Sequence, residues 1–199
     1  DEAGRVVDGD QLIALLAQHW ADNGRLRGGA VAATVMSNLG LERCLAGRQI
    51  ALHRTRVGDR YVVEAMRAAD LNLGGEQSGH IIMTDHATTG DGLLAALQIL
   101  AILKTAGRPA SEVTRVFAAV PQQTVSVPVA TRIDLAAPAL AAVIAAHEAR
   151  LGGDGRVLVR ASGTEPLVRV MVEAEQAELM RDAIDEIKAA VEAAARRAA

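Results

Sequence analysis

The chain has 199 residues, half of them apolar, which is enough for one large domain or two small ones with a substantial core. It carries 21 Lys and Arg against 24 Asp and Glu, with one Trp, one Tyr and one Phe. Because single-stranded nucleic acid is bound by basic grooves and stacked aromatic rings, this composition excludes nucleic acid as a favoured partner. A single cysteine, Cys44, rules out an internal disulfide and favours a reducing, cytoplasmic setting.

The longest apolar run in the sequence is LLAALQILAIL, at residues 93–103. It is about half of the ~20 residues that a membrane-spanning helix needs, so no membrane partner is expected. We predict a buried helix here, with Thr89 or Asp91 as its N-cap.

Apolar runs, glycine-containing turns and helical spacings alternate over the first 120 residues. Leu12, Leu15, Leu16 and Trp20 recur at helical spacing, which predicts a helix over 11–22. The expected strands that follow are AVAATVM, QIALHR, LNLGG and HIIMT, with helices between them. Alternation of this kind is typical of an α/β layer fold.

The pattern changes after GRPAS at 107–111. We expect a strand over PQQTVSVPVATRID, in which Pro128 indicates an edge position. A helix from Pro138, two strands flanking RASGTEP and a last helix from about Gln176 complete the series. The order strand, helix, strand, strand, helix predicts a small, separate α+β domain.

The connection RASGTEP, at 160–166, is richer in hydrogen-bond donors than a plain hairpin needs. It supplies the cation Arg160, the hydroxyls of Ser162 and Thr164, and a glycine, Gly163, at which a ligand could approach the backbone; Arg169 follows on the next strand. A phosphate dianion requires several convergent donors and a fixed cation. The alternative is an ordinary hairpin with polar turn residues.

A second polar stretch is GGEQSGH, at 74–80. In an extended chain alternate residues face the same way, so Glu76, Ser78 and His80 would form one row. Such a row suits sugar hydroxyls. A solvated loop, with His80 as a hydrogen-bonded structural histidine, is the alternative.

The remaining polar motifs have simpler interpretations. In VGDR, Asp59 and Arg60 are either a helix cap and a surface charge or a pair that faces a ligand, and VDGD at 7–10 is interpreted as a turn and not a metal loop. Structural roles are assigned to four further residues: His53, His86, His147 and Cys44.

Four stretches occur in the order of a known family: TVMSNLG at 34–40, VGDRYV at 57–62, GGEQSGHI at 74–81 and RASGTEPLVRVMVE at 160–173. With them the chain resembles the C-terminal half of the α-D-phosphohexomutase superfamily, most closely its phosphoglucosamine mutase branch. The resemblance implies an α/β/α third domain with a mixed sheet, followed by a small TBP-like α+β fourth domain with an antiparallel sheet and two helices. The implied division is a remnant of the second domain at 1–24, the third domain at 25–121 and the fourth at 122–199.

The same resemblance assigns roles to individual residues. It implies that Glu76 and Ser78 grip two neighbouring sugar hydroxyls, and that His80 lies close to the phosphate being transferred. The third-domain loop that faces the sugar would be Gly58, Asp59 and Arg60. The phosphate that is not being transferred would be held by the fourth-domain loop, through Arg160, Ser162, Gly163, Thr164 and Arg169.

The implied activity interconverts glucosamine 6-phosphate and glucosamine 1-phosphate, for the synthesis of UDP-N-acetylglucosamine and cell-wall precursors. It proceeds through a phosphoserine enzyme and a bisphosphorylated hexosamine, which serves as intermediate and activator. The family's phosphoserine loop and its Mg²⁺ loop have no counterpart in the sequence, and the first residue is Asp1 and not Met. We therefore expect a fragment that starts just after the metal loop of the second domain and is inactive alone.

Two alternatives remain at this point. One is a phosphomannomutase or phosphoglucomutase, and the other is a non-catalytic module that binds phosphosugars. The resemblance also allows a homodimer of the full-length enzyme.

Overall fold

The structure, a computed structural model, describes residues 1–131, 133–163 and 165–198. Contacts within the chain divide it into two compact units, residues 1–119 and 120–199, here called unit 1 and unit 2. Among the described residues, no helix combines the length and the apolar character required to cross a bilayer.

Unit 1 is built from four strands and five helices within the described residues. In chain order these are α1 (Gly9–Asp22), β1 (Ala30–Thr34), α2 (Leu39–Ala46), β2 (Ala51–Thr55), α3 (Asp59–Ala68), β3 (Leu73–Gly75), β4 (Ile81–Met83), α4 (Gly92–Ala106) and α5 (Ala110–Val113). The strand order is β2-β1-β3-β4. Strand β1 is parallel to β2 and β3, and β4 is antiparallel to β3, so the sheet is mixed as expected.

Helices cover both faces of this sheet because successive strand residues point to opposite sides. In β1, Val31 packs with residues of α1, α2 and α4, whereas Ala30 and Ala32 pack with α3. The result is the α/β/α layering that the sequence predicted.

Helix α1 supplies a large part of the first of these cores. Ile13, Leu16 and Trp20 are fully buried and lie at the i, i+3, i+7 spacing of one helix face. Residues 1–24 were expected to be the end of a preceding domain, but in this chain their helix packs inside unit 1. Their membership of a second domain stays a prediction.

Helix α4 corrects one expectation. The apolar run at 93–103 was predicted to be a buried helix, and Asp91 does cap it by accepting the backbone N–H groups of Leu93 and Leu94. Only one side of it is covered, however, because Leu93 is 72%, Leu97 54% and Leu100 58% exposed. The apolar composition predicted the helix but not which of its faces is covered.

Unit 2 has the element order that the sequence predicted: β5 (Gln122–Pro128), α6 (Pro138–Leu151), β6 (Gly155–Ala161), β7 (Leu167–Ala174) and α7 (Ala177–Ala198). The strand order β5-β7-β6 is antiparallel throughout, and β5 is an edge strand, as Pro128 indicated. Val168, Val170 and Val172 face the helical core with Ile184 and Ile187 of α7. The intervening residues of β7, including Arg169, therefore lie on the opposite face of the sheet.

Candidate functional site

Parallel strands bring three loops of unit 1 to one edge of its sheet. Strands β1, β2 and β3 run in the same direction, so the segments that follow them leave from the same edge. These segments are 35–38, 56–58 and 76–80. Three of the four sequence stretches that carried the family resemblance therefore meet here.

The segment between β3 and β4 is a tight turn and not the extended row that was predicted. The Gly79 N–H donates to the Glu76 carbonyl at 2.9 Å, and the Glu76 N–H donates to the His80 carbonyl at 3.0 Å. Gly79 has φ 95°, a conformation that L side chains rarely adopt. Ser78 is exposed at the tip of this turn, so the prediction that Glu76, Ser78 and His80 form an extended row is wrong.

Glu76 and His80 nevertheless face a common neighbour, the segment after β2. The Glu76 carboxylate accepts the Gly58 N–H at 3.2 Å, and His80 Nε2 lies 3.6 Å from Asp59 Oδ2. Gly58 has φ 125° and begins α3 without a side-chain cap. The structure thus brings together Gly58, Asp59, Glu76 and His80.

The His80 ring rests on the backbone of Gly90. A Cβ at position 90 would meet ring atoms of His80, with Cε1 at 2.5 Å and Cδ2 at 2.8 Å, which is closer than real Cβ atoms come. Gly90 is also bridged to Ile82 of β4. The glycine of TTGDG therefore leaves the space that the His80 ring occupies, a role that the helix-capping interpretation of this motif did not include.

Arg60 contacts residues of its own helix. Its guanidinium carbon lies 4.9 Å from the centre of the Tyr61 ring, and its Nε is 3.4 Å from Glu64. Arg56 lies over the same ring at 4.5 Å. The sequence analysis did not include Arg56, which stands two residues before Gly58.

In unit 2, the hairpin of β6 and β7 brings two like charges together. Arg160 and Arg169 are directly paired across β6 and β7, so their side chains share one face of the hairpin. Like charges in such pairs are unfavourable. Burial, and then the charge of Arg169, lower the pKa of Arg160.

Each of the two guanidinium groups has one donor without a partner among the described residues. Within the described residues, Arg160 Nε and Arg169 Nε are both buried without a hydrogen-bond partner, and Arg169 makes one ion pair, at 3.1 Å, with Glu165. Buried donors are normally paired, so two such atoms beside each other are unusual.

The turn between these two arginines contains hydrogen bonds of its own. The Ser162 N–H donates to the Leu167 carbonyl at 2.9 Å, and Ser162 Oγ accepts the Glu165 N–H at 3.3 Å. A Cβ placed on Gly163 would meet no atom within 4 Å. The predicted phosphate-binding residue Thr164 lies outside the described residues.

A cavity of about 390 Å³ opens beside this tip. Ser162 and Gly163 line it together with apolar residues such as Val129 and Ile133, but the two arginines do not. Val168, which also lines the cavity, faces the helical core, whereas Arg169 lies on the opposite face of the sheet, so the cavity is separate from the arginine pair.

No metal centre is formed by the described residues, among which no three His, Cys, Asp or Glu side chains are grouped. The two aspartates of VDGD have other partners: Asp8 caps α1 by accepting the Gln11 N–H, and Asp10 is buried and accepts the Asn38 N–H. These residues do not fit a Mg²⁺ site.

An α/β/α unit followed by a small antiparallel α+β unit, each with a polar loop at a strand end, is the arrangement of the last two domains of a phosphohexomutase. Sequence comparison agrees, since residues 8–120 match "Phosphoglucomutase/phosphomannomutase, alpha/beta/alpha domain III" and residues 125–190 match the C-terminal domain of the same family. The chain belongs to the phosphoglucomutase/phosphomannomutase family.

Relatives within the family point to one branch of it. The chain is 61% identical to a phosphoglucosamine mutase of Paracoccus denitrificans over 98% of its own length and 44% of the relative. A phosphoglucosamine mutase of Rhodospirillum centenum is 58% identical over 98% of the chain and 42% of the relative. The chain thus spans less than half the length of these curated relatives.

Solved structures share the fold. The N-acetylphosphoglucosamine mutase of Aspergillus fumigatus superimposes with a TM-score of 0.82 at 23% identity, covering 96% of this chain and 44% of that one. Another structure of that enzyme contains GlcNAc-6P and magnesium, and it matches with a TM-score of 0.80 at 23% identity, covering 94% of this chain and 47% of that one.

Proposed function

We propose that the full-length protein containing these residues is a phosphoglucosamine mutase, which interconverts glucosamine 6-phosphate and glucosamine 1-phosphate. The observation that carries this proposal is the Arg160–Arg169 pair, two opposed cations whose Nε donors have no partner among the described residues. The names of the relatives at 58–61% identity support the choice of sugar.

In this proposal unit 2 holds the phosphate that is not being transferred. Arg160 and Arg169 supply charge-assisted hydrogen bonds, while Ser162, Gly163 and Thr164 supply hydroxyl and backbone donors. A phosphate dianion between the arginines would also remove their mutual repulsion. The same clamp accepts either phosphate of the bisphosphorylated intermediate, as a reaction with two substrate orientations requires.

Unit 1 recognises the sugar and orients it. Glu76 and Ser78 bind neighbouring ring hydroxyls, His80 donates to the transferring phosphate, and Gly58 with Asp59 shapes the wall beside them. The bond between the Gly58 N–H and Glu76 keeps the carboxylate in place before a sugar arrives. Arg60, which contacts Tyr61 and Glu64, contributes positive charge at the rim.

We propose that the phosphorylated serine and the Mg²⁺ ligands come from a part of the protein outside these 199 residues, and that the enzyme works in the cytoplasm. The isolated chain would then bind phosphosugar weakly and turn none of it over. Conversion of glucosamine 6-phosphate by the isolated chain would contradict this division of labour.

The decisive experiment compares turnover of glucosamine, glucose and mannose 6-phosphates by the full-length protein. We expect glucosamine 6-phosphate to have the highest kcat/KM. A preference for glucose or mannose phosphate would place the protein in the phosphoglucomutase or phosphomannomutase branch. Tight binding with no turnover of any of the three would instead favour a non-catalytic phosphosugar-binding module.

A further inference from the structure

The first turn of α1 lies between two of the loops that gather at the edge of the unit 1 sheet. The Gly9 N–H donates to the Gln77 carbonyl at 2.9 Å, in the turn between β3 and β4. The neighbouring Asp10 accepts the Asn38 N–H at 2.7 Å, in the loop after β1. Two consecutive residues therefore tie together loops that are about 40 residues apart in sequence.

Gly9 is packed against the backbone of the Glu76–Gly79 turn. A Cβ at position 9 would meet the Glu76 carbonyl oxygen, the Gly79 nitrogen at 2.6 Å and the Gln77 carbonyl oxygen at 2.9 Å. Real Cβ atoms do not approach other atoms this closely, and backbone atoms cannot rotate away as a side chain can. Any larger residue at position 9 must displace the turn that carries Glu76 and Ser78.

Asp10 is wholly buried. Burial raises the pKa of its carboxyl to about 6, with the charge of Asp8 adding to the rise, while the Asn38 N–H, the Ser37 side chain and Arg54 oppose it. Burial of an ionisable carboxyl group is unfavourable for folding. Its presence between two loops is explained if its task is to hold them.

We propose that Gly9 and Asp10 are positioning residues for sugar recognition: the first turn of α1 seats the Glu76–Gly79 turn against the loop after β1, and so determines where Glu76 and Ser78 stand. This inference rests on the proposed sugar-binding role of that turn. The VDGD motif, interpreted from sequence as a simple turn, thereby acquires a function.

The first test is Gly9→Ala in the full-length protein, assayed with glucosamine 6-phosphate. We expect KM to rise about tenfold, as the loss of one or two sugar hydrogen bonds implies. We expect kcat to change far less, because these bonds hold substrate and transition state alike. Gly92→Ala is the matched control, since a Cβ there meets no atom within 4 Å and its KM should stay that of wild type.

A double-mutant cycle separates positioning from general destabilisation. In a Glu76→Ala background, Gly9→Ala should raise KM by much less than in the wild type, since the side chain through which Gly9 acts is already absent. Equal effects in both backgrounds would overturn the proposal.

Asp10 is tested by a conservative pair of variants. Asp10→Asn keeps an oxygen for the Asn38 N–H and should retain a KM close to that of wild type, whereas Asp10→Ala should raise it. An unchanged KM in Asp10→Ala would remove Asp10 from the proposal.

Amide hydrogen exchange of the peptide covering 76–80 provides a readout that needs no activity. Gly9→Ala should accelerate exchange there, because the Gly79 and Glu76 amides are bonded within the turn, and Gly92→Ala should not. If the wild type fails to turn over glucosamine 6-phosphate, the proposed function fails, but this measurement still decides whether Gly9 seats the turn. Wild-type exchange rates in Gly9→Ala would overturn the inference.

Discussion

Two arginines of strand β6 lie four residues apart on the same face of the sheet, and their partners on β7 have opposite charges: one is an acid and the other a base. Arg156 is paired with Glu173, whose side chain is 0% exposed and accepts the Arg156 Nε–H at 2.7 Å. Arg160 is paired with Arg169, and the Nε of each has no partner in the described part of the chain. Arg156 thus forms an ion pair at one end of the strand, whereas Arg160 lies beside a second positive charge at the other end.

The difference separates a cation with a structural partner from one that we propose binds an anion. The Arg156 charge is neutralised inside the protein, so removing it should harm folding. The Arg160 charge is opposed by a like charge, so removing it should harm only the binding of an anion.

The largest effect is expected for Arg156→Ala, which leaves the Glu173 carboxylate buried without its guanidinium. Breaking a buried pair by removing one partner costs about 3–5 kcal/mol. Urea unfolding of the chain, followed by circular dichroism, measures it, because the Trp, Tyr and Phe residues all lie in unit 1.

The control for this substitution is Arg150→Ala, which breaks an exposed ion pair with Asp182 in the same unit. Such pairs contribute about 1 kcal/mol or less. Equal losses of stability in the two variants would show that the Arg156–Glu173 pair stabilises unit 2 no more than an exposed ion pair does.

A buried carboxyl group without such an ion pair should make stability depend on pH, and Asp10 of unit 1 is a group of this kind. Its pKa in the folded state is raised to about 6 from a usual 3.8, mainly by burial. Between those two pH values the folded protein holds a proton that the unfolded chain releases. The free energy of unfolding should therefore fall as pH rises from about 4 to 6, by ~3 kcal/mol in all.

Asp10→Asn cannot ionise, so it should lack this contribution to the pH dependence. Fluorescence of the buried Trp20, also in α1, reports unfolding of unit 1. Identical pH profiles for the variant and the wild type between pH 4 and 6 would contradict the prediction.

Arg160→Ala should weaken binding of glucosamine 6-phosphate to the full-length protein by about 1.5–3 kcal/mol, or roughly 10- to 150-fold, because a charge-assisted hydrogen bond is lost. Stability without ligand should not fall, since the repulsion from Arg169 is relieved. Calorimetry measures the affinity, and Arg181→Ala, at an exposed position of α7, is the control. An affinity equal to that of the control would remove Arg160 from the phosphate clamp.

Much of this arrangement could be predicted from periodicity and turn chemistry. The stripe of Ile184, Ile187 and Val191 predicted the last helix, and the apolar runs around RASGTEP predicted the hairpin that presents Arg160 and Arg169. These features are local, so a short window of sequence contains the information that specifies them.

What could not be predicted depends on contacts between distant residues. Nothing near Gly9 in sequence indicates that the Glu76–Gly79 turn packs on it 67 or more residues later. The sequence analysis predicted an extended row because it assumed that alternate side chains of this segment face the same way. The backbone conformation is instead determined by hydrogen bonds within Glu76–His80, which form a turn. The exposed leucines of α4 were likewise unpredictable, since composition does not tell which face of a helix is covered.

The smallest effect is expected for Gly163→Ala, which tests whether the gap beside Arg160 belongs to a ligand. Added to the chain alone, a Cβ at 163 meets no atom within 4 Å, so the free energy of unfolding should change by less than ~0.5 kcal/mol. With phosphate present, the added methyl group would occupy space that the anion needs to reach the backbone. The loss of about one hydrogen bond should lower the affinity for phosphosugar by roughly two- to tenfold. Wild-type affinity in this variant, measured by the same calorimetry, would mean that the anion is held by the arginines without the loop backbone. A lower stability without ligand would mean that the glycine serves the hairpin and not the ligand.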